Sequence, residues 1–282
     1  MSEKPESVKT SSAAADDVVD VSFFRTFGFF VLRHFFDPGP LAAEHDRALQ
    51  EEFADSSGAS HYEGVHFQYV PMMTSRTPHS LSLLDRTAVV AAVVLGATVL
   101  PTRAKGVRCL GSTPWHVDSA FAIASIGCAA YLEPLNAETG ALRVLPGSHR
   151  PALGDEIRAL GGIGMSAPAL PSHVIATEPG DMILFDEHLF HASFGGGTRR
   201  QWRVDYITDP VGAEAERDTK VYFSSIYVPD WDGGYNVDAH PSYGSDWQAS
   251  GRPVVARLEA LGVYELAARH EEFTRAKWRA SR

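Results

Sequence analysis

The chain has 282 residues, 44% hydrophobic and 21% charged, enough apolar material for one large core or two small ones. Its net charge of -10 excludes the basic face that nucleic acid or an anionic membrane surface requires. No apolar run reaches the roughly 20 residues that cross a bilayer, the 2 cysteines, Cys109 and Cys128, are too few for a disulfide framework, and residues 1–20 lack an apolar secretory stretch, so the cytoplasm is the expected compartment.

Residues 1–18 are rich in Ser, Ala and charge and hold no aromatic, the composition of a disordered tail, and a single domain is expected over 19–282. Asp20 or Ser22 can cap a short helix carrying Phe23, Phe24 and Phe27 that Gly28 ends. Residues 29–32 read as a strand, and a helix is expected from about 41 to 53. A further helix over 80–95 puts Leu81, Leu84, Ala88, Ala91 and Leu95 at helical spacing. From Lys105 the texture changes to short apolar runs broken by Gly and Pro: 107–110, 125–132, 142–145, 182–185, 203–208 and 221–228. Strands without a long helix between them indicate an antiparallel sandwich or jelly roll. Two helices follow, near 253–261 and 263–278. The fold class is therefore mainly β with flanking α-helices, a double-stranded β-helix of the cupin-like jelly-roll kind.

Within this frame stand His116-Val117-Asp118 and, later, His191. Two imidazoles and one carboxylate on one face of a metal form the ligand set of non-haem iron(II) oxygenases, with the opposite face open. In an extended strand alternate side chains share a face, so His116 and Asp118 can grip one ion while Val117 turns away. For the distal histidine, position alone leaves both His188 and His191, since both follow the strand at 182–185.

Three blocks carry a resemblance to a known family. They are Pro114-Trp115-His116-Val117-Asp118; Glu138-Thr139-Gly140-Ala141-Leu142-Arg143-Val144-Leu145-Pro146-Gly147-Ser148-His149; and Pro179-Gly180-Asp181-Met182-Ile183-Leu184-Phe185-Asp186, running into His191-Ala192-Ser193 and then Arg203. In this order they resemble the phytanoyl-CoA dioxygenase family of iron(II)- and 2-oxoglutarate-dependent oxygenases. The resemblance implies iron(II) on His116, Asp118 and His191, 2-oxoglutarate as co-substrate, dioxygen as oxidant and hydroxylation of a small molecule, with His188 left outside the metal site. It also implies an arginine for the far carboxylate of the co-substrate, a task suited to a planar fork that never loses its charge. Arg203 is expected in that role with Arg200 in reserve, and Ser193 resembles the hydroxyl that assists at the same carboxylate. His149 is expected to serve its turn rather than a metal.

The segments 62–69 and 229–236 mix aromatic, acidic and glycine residues, and they are expected to border the cavity as substrate-gripping flaps. Trp115, Tyr62, Phe67, Trp231 and Tyr235 are their candidate contacts, and the acidic, aromatic character points to a neutral or cationic small molecule such as a secondary metabolite. The rival reading is a cupin-like metal barrel without oxygenase activity, an isomerase or a binding protein. Such a barrel would keep the metal ligands and need no co-substrate arginine.

Overall fold

Asp20 accepts from the Phe23 N–H at 2.8 Å and so starts helix α1 (Val21–Phe27), which Gly28 closes at φ 81 with its own N–H on the Phe24 carbonyl. A computed structural model of the protein describes residues 19–52, 60–62, 65–160, 170–227 and 234–280; the tail expected over 1–18 lies outside them. After α1 come β1 (Phe29–Leu32), α2 (Pro38–Glu52), β2 (Ser60–Tyr62), β3 (Val65–Pro71), α3 (Pro78–Leu95) and β4 (Val99–Pro101). The central run is β5 (Lys105–Leu110), β6 (Thr113–His116), β7 (Ser125–Tyr131), β8 (Leu142–Val144), α4 (Pro151–Leu160), β9 (His173–Ile175), β10 (Met182–Asp186), β11 (His191–Ser193) and β12 (Arg199–Thr208). Helices α5 (Ala213–Ile226), α6 (Ser245–Gln248), α7 (Pro253–Ala260) and α8 (Val263–Ala280) follow.

The strands form two antiparallel sheets. One runs β1-β10-β7-β12-β5-β3-β2, with β4 also pairing β12, and the other runs β6-β11-β8-β9. This is the jelly roll that the run of short strands predicts. Residues of β12 alternate between its two faces. Trp202, Val204 and Tyr206 are sealed in the main core, where the Trp202 indole donates to Ser80 Oγ at 2.7 Å and the Tyr206 hydroxyl donates to the Leu84 carbonyl at 2.6 Å. Both partners belong to α3, so this helix fixes the register of β12. Arg199, Gln201, Arg203 and Asp205 turn the other way, into the space between the sheets. Helix α3 is long and apolar enough by length and composition to cross a bilayer, but Leu83, Leu84, Val90, Ala91 and Val94 bury one side of it in the core.

Two expectations fail. Residues 221–226 belong to helix α5 rather than to a strand, because Thr219, Tyr222 and Phe223 recur at helical spacing and are buried, while Glu214 and Glu216 sit in the first turn, where acids favour a helix start. A ten-residue helix, α4, also interrupts the strands between β8 and β9.

Candidate metal centre

His116 ends β6 and His191 begins β11, and the two are direct partners across the sheet, with ring centroids 4.2 Å apart. His116 Nδ1 lies 2.8 Å from the Pro114 carbonyl and His191 Nδ1 lies 2.8 Å from the Leu189 carbonyl. A carbonyl can only accept, so both Nδ1 atoms carry the proton and both Nε2 lone pairs are free to bind a metal. Asp118 Oδ1 stands 3.3 Å from His116 Nε2 and 3.5 Å from His191 Nε2, and the candidate ligand atoms of the three residues lie within 4.8 Å of one another. Strand alternation does not set Asp118, since β6 stops at His116. The backbone is instead clamped from across the site, where the Asp118 and Ser119 N–H groups both donate to the Glu187 carbonyl, at 2.9 and 3.1 Å.

The second oxygen of Asp118 is occupied. Arg203 Nη2 donates to Oδ2 at 2.7 Å, and Asp205 Oδ1 in turn accepts from Arg203 Nε at 2.9 Å and Nη2 at 2.7 Å. The guanidinium lies over the Phe185 ring at 4.9 Å and directly above Gly127, where a Cβ would come within 2.9 Å of Nη2. Burial works against the Asp118 carboxylate, but Arg203 and the two histidines more than offset it and hold the acid well below the usual carboxylate range. Burial likewise opposes charge on His116, and Asp118 beside it wins, raising the imidazole.

His188 has no lone pair to offer. Its Nδ1 sits 2.8 Å from Asp186 Oδ1 and its Nε2 sits 2.6 Å from the Phe121 carbonyl. The motif blocks mostly brace the ligands. Ser148 Oγ accepts from the Phe190 N–H at 2.9 Å, fixing the residue before His191, and the His149 ring packs on Gly28 with Nε2 3.2 Å from the Arg25 carbonyl. Asp181 accepts from the His34 and Glu178 N–H groups and from Arg33, tying β10 to the N-terminal segment.

The three arginines near the start of β12 make different contacts. Arg200 lies on the outer face, where its Nε binds Glu133 and its Nη1 binds Asp46 at 2.6 Å. Arg203 already serves Asp118 and Asp205. Arg199, which the sequence reading does not single out, is 2% exposed and packs against Gly140 and Gly196. Its Nη2 donates to the Gly111 carbonyl at 2.9 Å and its Nη1 to the Gly197 carbonyl at 3.4 Å, while Nε has no partner among the described residues. Two glycines make its room, since a Cβ at Gly196 or Gly140 would come within 1.6 or 2.5 Å of Nη1. Ser193 Oγ donates to the carbonyl of that same Gly140 at 2.8 Å, so Ser193 and Arg199 converge. The clue in the sequence was the glycine run 195–197, one residue short of the arginine, whose small residues leave room for its side chain.

The expected flap residues part company. Phe67 pairs with Cys109 across β3 and β5 and stacks with Tyr69 at 6.3 Å. Trp115 meets Phe194 edge-on at 6.1 Å, beside the first ligand. Tyr235 is 1% exposed in a small core with Ala48, Leu49, Val70 and Val237, so it supports the fold and cannot touch a substrate. Tyr62 has its backbone in β2, its side chain lies outside what is described, and Trp231 lies outside the described residues.

The sequence matches the family model for phytanoyl-CoA dioxygenase over residues 24–203. No curated protein matches it. Among solved structures, AviO1 from Streptomyces viridochromogenes Tue57 is similar at 22% identity and a TM-score of 0.54, covering 73% of this chain and 99% of that one. The α-ketoglutarate-dependent carbocyclase SnoK of nogalamycin biosynthesis gives 16% identity and 0.55, over 69% and 86%. The epimerase SnoN, solved with Fe3+, α-ketoglutarate and nogalamycin RO, gives 19% and 0.54, over 72% and 89%. Likeness at such identities is one of fold.

Proposed function

The chain belongs to the phytanoyl-CoA dioxygenase family of iron(II)- and 2-oxoglutarate-dependent oxygenases, and on that premise we propose that it hydroxylates a C–H bond of a small molecule. His116, His191 and Asp118 would hold the iron. The donor set fits: with both Nδ1 atoms on backbone carbonyls, the two Nε2 atoms converge on one carboxylate oxygen. When bound, iron with 2-oxoglutarate and dioxygen supplies the oxidising power, and succinate and carbon dioxide are the co-products.

The protein's own part is positioning. Arg203 holds Oδ2 of Asp118, which leaves Oδ1 as the single oxygen facing the histidines. Arg199 is assigned the far carboxylate of 2-oxoglutarate, with Ser193 beside it. The observation that carries this reading is a guanidinium at 2% exposure, held by backbone carbonyls and the Cys109 thiol, with Nε unpartnered and no carboxylate paired with it among the described residues. A buried charge left so is costly until an anion arrives. Arg203, expected in this role, is already bound to two carboxylates and touches a metal ligand, which is too close for the far end of a chelated dicarboxylate.

Halogenation is disfavoured because Asp118 occupies the carboxylate position. Epimerisation or ring closure, the activities named for SnoN and SnoK, would use the same residues and differ in how the substrate is held. The decisive experiment reconstitutes the protein anaerobically with iron(II), titrates 2-oxoglutarate, and then admits oxygen while succinate is measured. Metal-dependent binding and succinate release are expected in the wild type and not in Asp118→Ala. Iron binding with neither would favour a cupin-like barrel that is not an oxygenase.

A further inference from the structure

Lys105 opens β5 and turns inward. Its neighbour Gly106 faces α2 and the residue after β3, where a Cβ would meet Met72 Sδ at 2.8 Å and His45 Cδ2 at 3.0 Å, so Lys105, Val107 and Cys109 take the opposite, inner side. In register Lys105 lies across from Arg203, and Cys109 lies across from Arg199. Directly opposed residues share a face, with Cβ atoms about 4.5–5.5 Å apart. Four residues of strand separate the two rungs, about 13 Å. The Arg199 rung adjoins Ser193 and the proposed co-substrate end, while the Lys105 rung adjoins Asp118 through Arg203. Lys105 therefore stands on the Arg203 rung, about 13 Å along the strand pair from the rung proposed for the far carboxylate of 2-oxoglutarate.

The charges on this rung are unequally matched. Arg203 is held by Asp118 and Asp205, each at 2.7 Å. Lys105 is half-buried, and among the described residues no hydrogen bond or ion pair fixes its ammonium. Burial pushes its pKa down; Asp205 and Asp118 pull the other way, and Arg203 and Arg103 add to the fall. An ammonium partly withdrawn from water with no hydrogen-bonded partner is costly to keep, even with carboxylates nearby, and structural lysines are usually paired. We propose that Lys105 is a substrate-docking residue, receiving an anionic oxygen (a carboxylate, or an ionised phenol or enol) of the molecule to be oxidised. This deepens the oxygenase reading and rests on it. It also replaces the expectation of a neutral or cationic substrate, which drew on segments 62–69 and 229–236. Of those, Tyr235 is core, whereas the inner wall presents Lys105.

The test uses zinc(II)-loaded protein saturated with 2-oxoglutarate and matched pairs of fluorinated aromatic acids and their primary amides, followed by 19F NMR. Acids should bind in preference to amides without displacing 2-oxoglutarate. Lys105→Met should weaken acid binding at least about tenfold, the loss expected when one partner of a buried charge pair is removed, and Lys105→Arg should restore most of it. Titration of 2-oxoglutarate onto Lys105→Met should match the wild type, which also reports that the variant is folded. Amides binding as well as acids, acids indifferent to Lys105→Met, acids that expel 2-oxoglutarate, or no acid bound at millimolar concentration would each overturn the Lys105 assignment and leave the oxygenase reading standing. Failure of the wild type to bind 2-oxoglutarate would overturn both.

Discussion

Replacing Arg199 with Met tests the co-substrate assignment through two readouts of opposite sign. In the iron(II)-loaded wild type under nitrogen, 2-oxoglutarate at 100 times its Kd stabilises the folded state by about 2.7 kcal/mol. At this size each kcal/mol moves Tm by about 2–4 °C, so a rise of about 5–10 °C is expected. Arg199 would meet the dicarboxylate with a buried charged contact, and losing such a contact costs about 2–5 kcal/mol. Even the lower figure raises Kd about thirtyfold, which leaves less than about 1 kcal/mol of stabilisation at the same concentration and a rise of about 2–3 °C. Without ligand the sign reverses. Arg199→Met removes a guanidinium that is 2% exposed and has an unpartnered Nε, so the Tm of the unliganded protein should hold or rise. Differential scanning fluorimetry reads both effects in one plate. If Arg199→Met kept the full ligand-induced rise while Arg203→Met lost it, the reasoning from burial and missing partners would be refuted and Arg203 would regain the role.

The metal assignment predicts that His191→Ala abolishes tight iron(II) binding while His188→Ala, whose ring nitrogens serve Asp186 and Phe121, keeps most of it; isothermal titration distinguishes them. Arg203→Met should weaken iron(II) binding about 10- to 100-fold, the usual effect of removing a group that orients a ligand, and a purely co-substrate effect would contradict the Asp118 contact. Burial, followed by the charges of Asp205 and Asp118, pushes Glu187 up from its ordinary 4.5 to about 8. The folded metal-free protein then holds a proton that the unfolded chain has released, so stability falls as pH rises through this window, by up to about 1.4 kcal/mol per pH unit. Glu187→Gln has no such proton, and denaturant midpoints measured between about pH 5 and 8 should lose that slope.

Much of the architecture was legible because local and global signals agreed. Asp20 and Gly28 bracket α1 as a cap and a left-handed stop, and the apolar run of β7 is buried at every position. The blocks around His116 and His191 marked both for the proposed metal site, and the fold brings them together as cross-strand partners. Other features depend on contacts the chain makes only when folded. The segment 221–226 carries the β-branched and aromatic residues of a strand, yet its buried positions follow a helical period that only Thr219 before it completes. Arg199, Arg200 and Arg203 differ little in sequence, and their roles separate by the alternation of β12 and by glycines, Gly140 and Gly127, that are distant in the chain. Lys105 was hidden for the same reason, since its direction depends on which side of β5 meets α2. Tyr235 shows the reverse error: aromatic content near a glycine pair suggests a flap, and the residue is a buried plug.

β12 carries at one end the side chain proposed for the far carboxylate of the co-substrate and, four positions on, the one that grips Asp118, a proposed metal ligand, while Trp202 between them is pinned to Ser80. The strand thus acts as a gauge whose length is written into its register. A keto-diacid one methylene longer, 2-oxoadipate, would have to buckle or push Arg199 against Gly140 and Gly196, where there is no space for even one extra carbon. Oxaloacetate, one methylene shorter, would chelate the metal and fall short of the guanidinium. Selection among keto-acids would then lie in the distance between two arginines on a single strand, and a one-residue slip of β12 would abolish it by turning both to the wrong face.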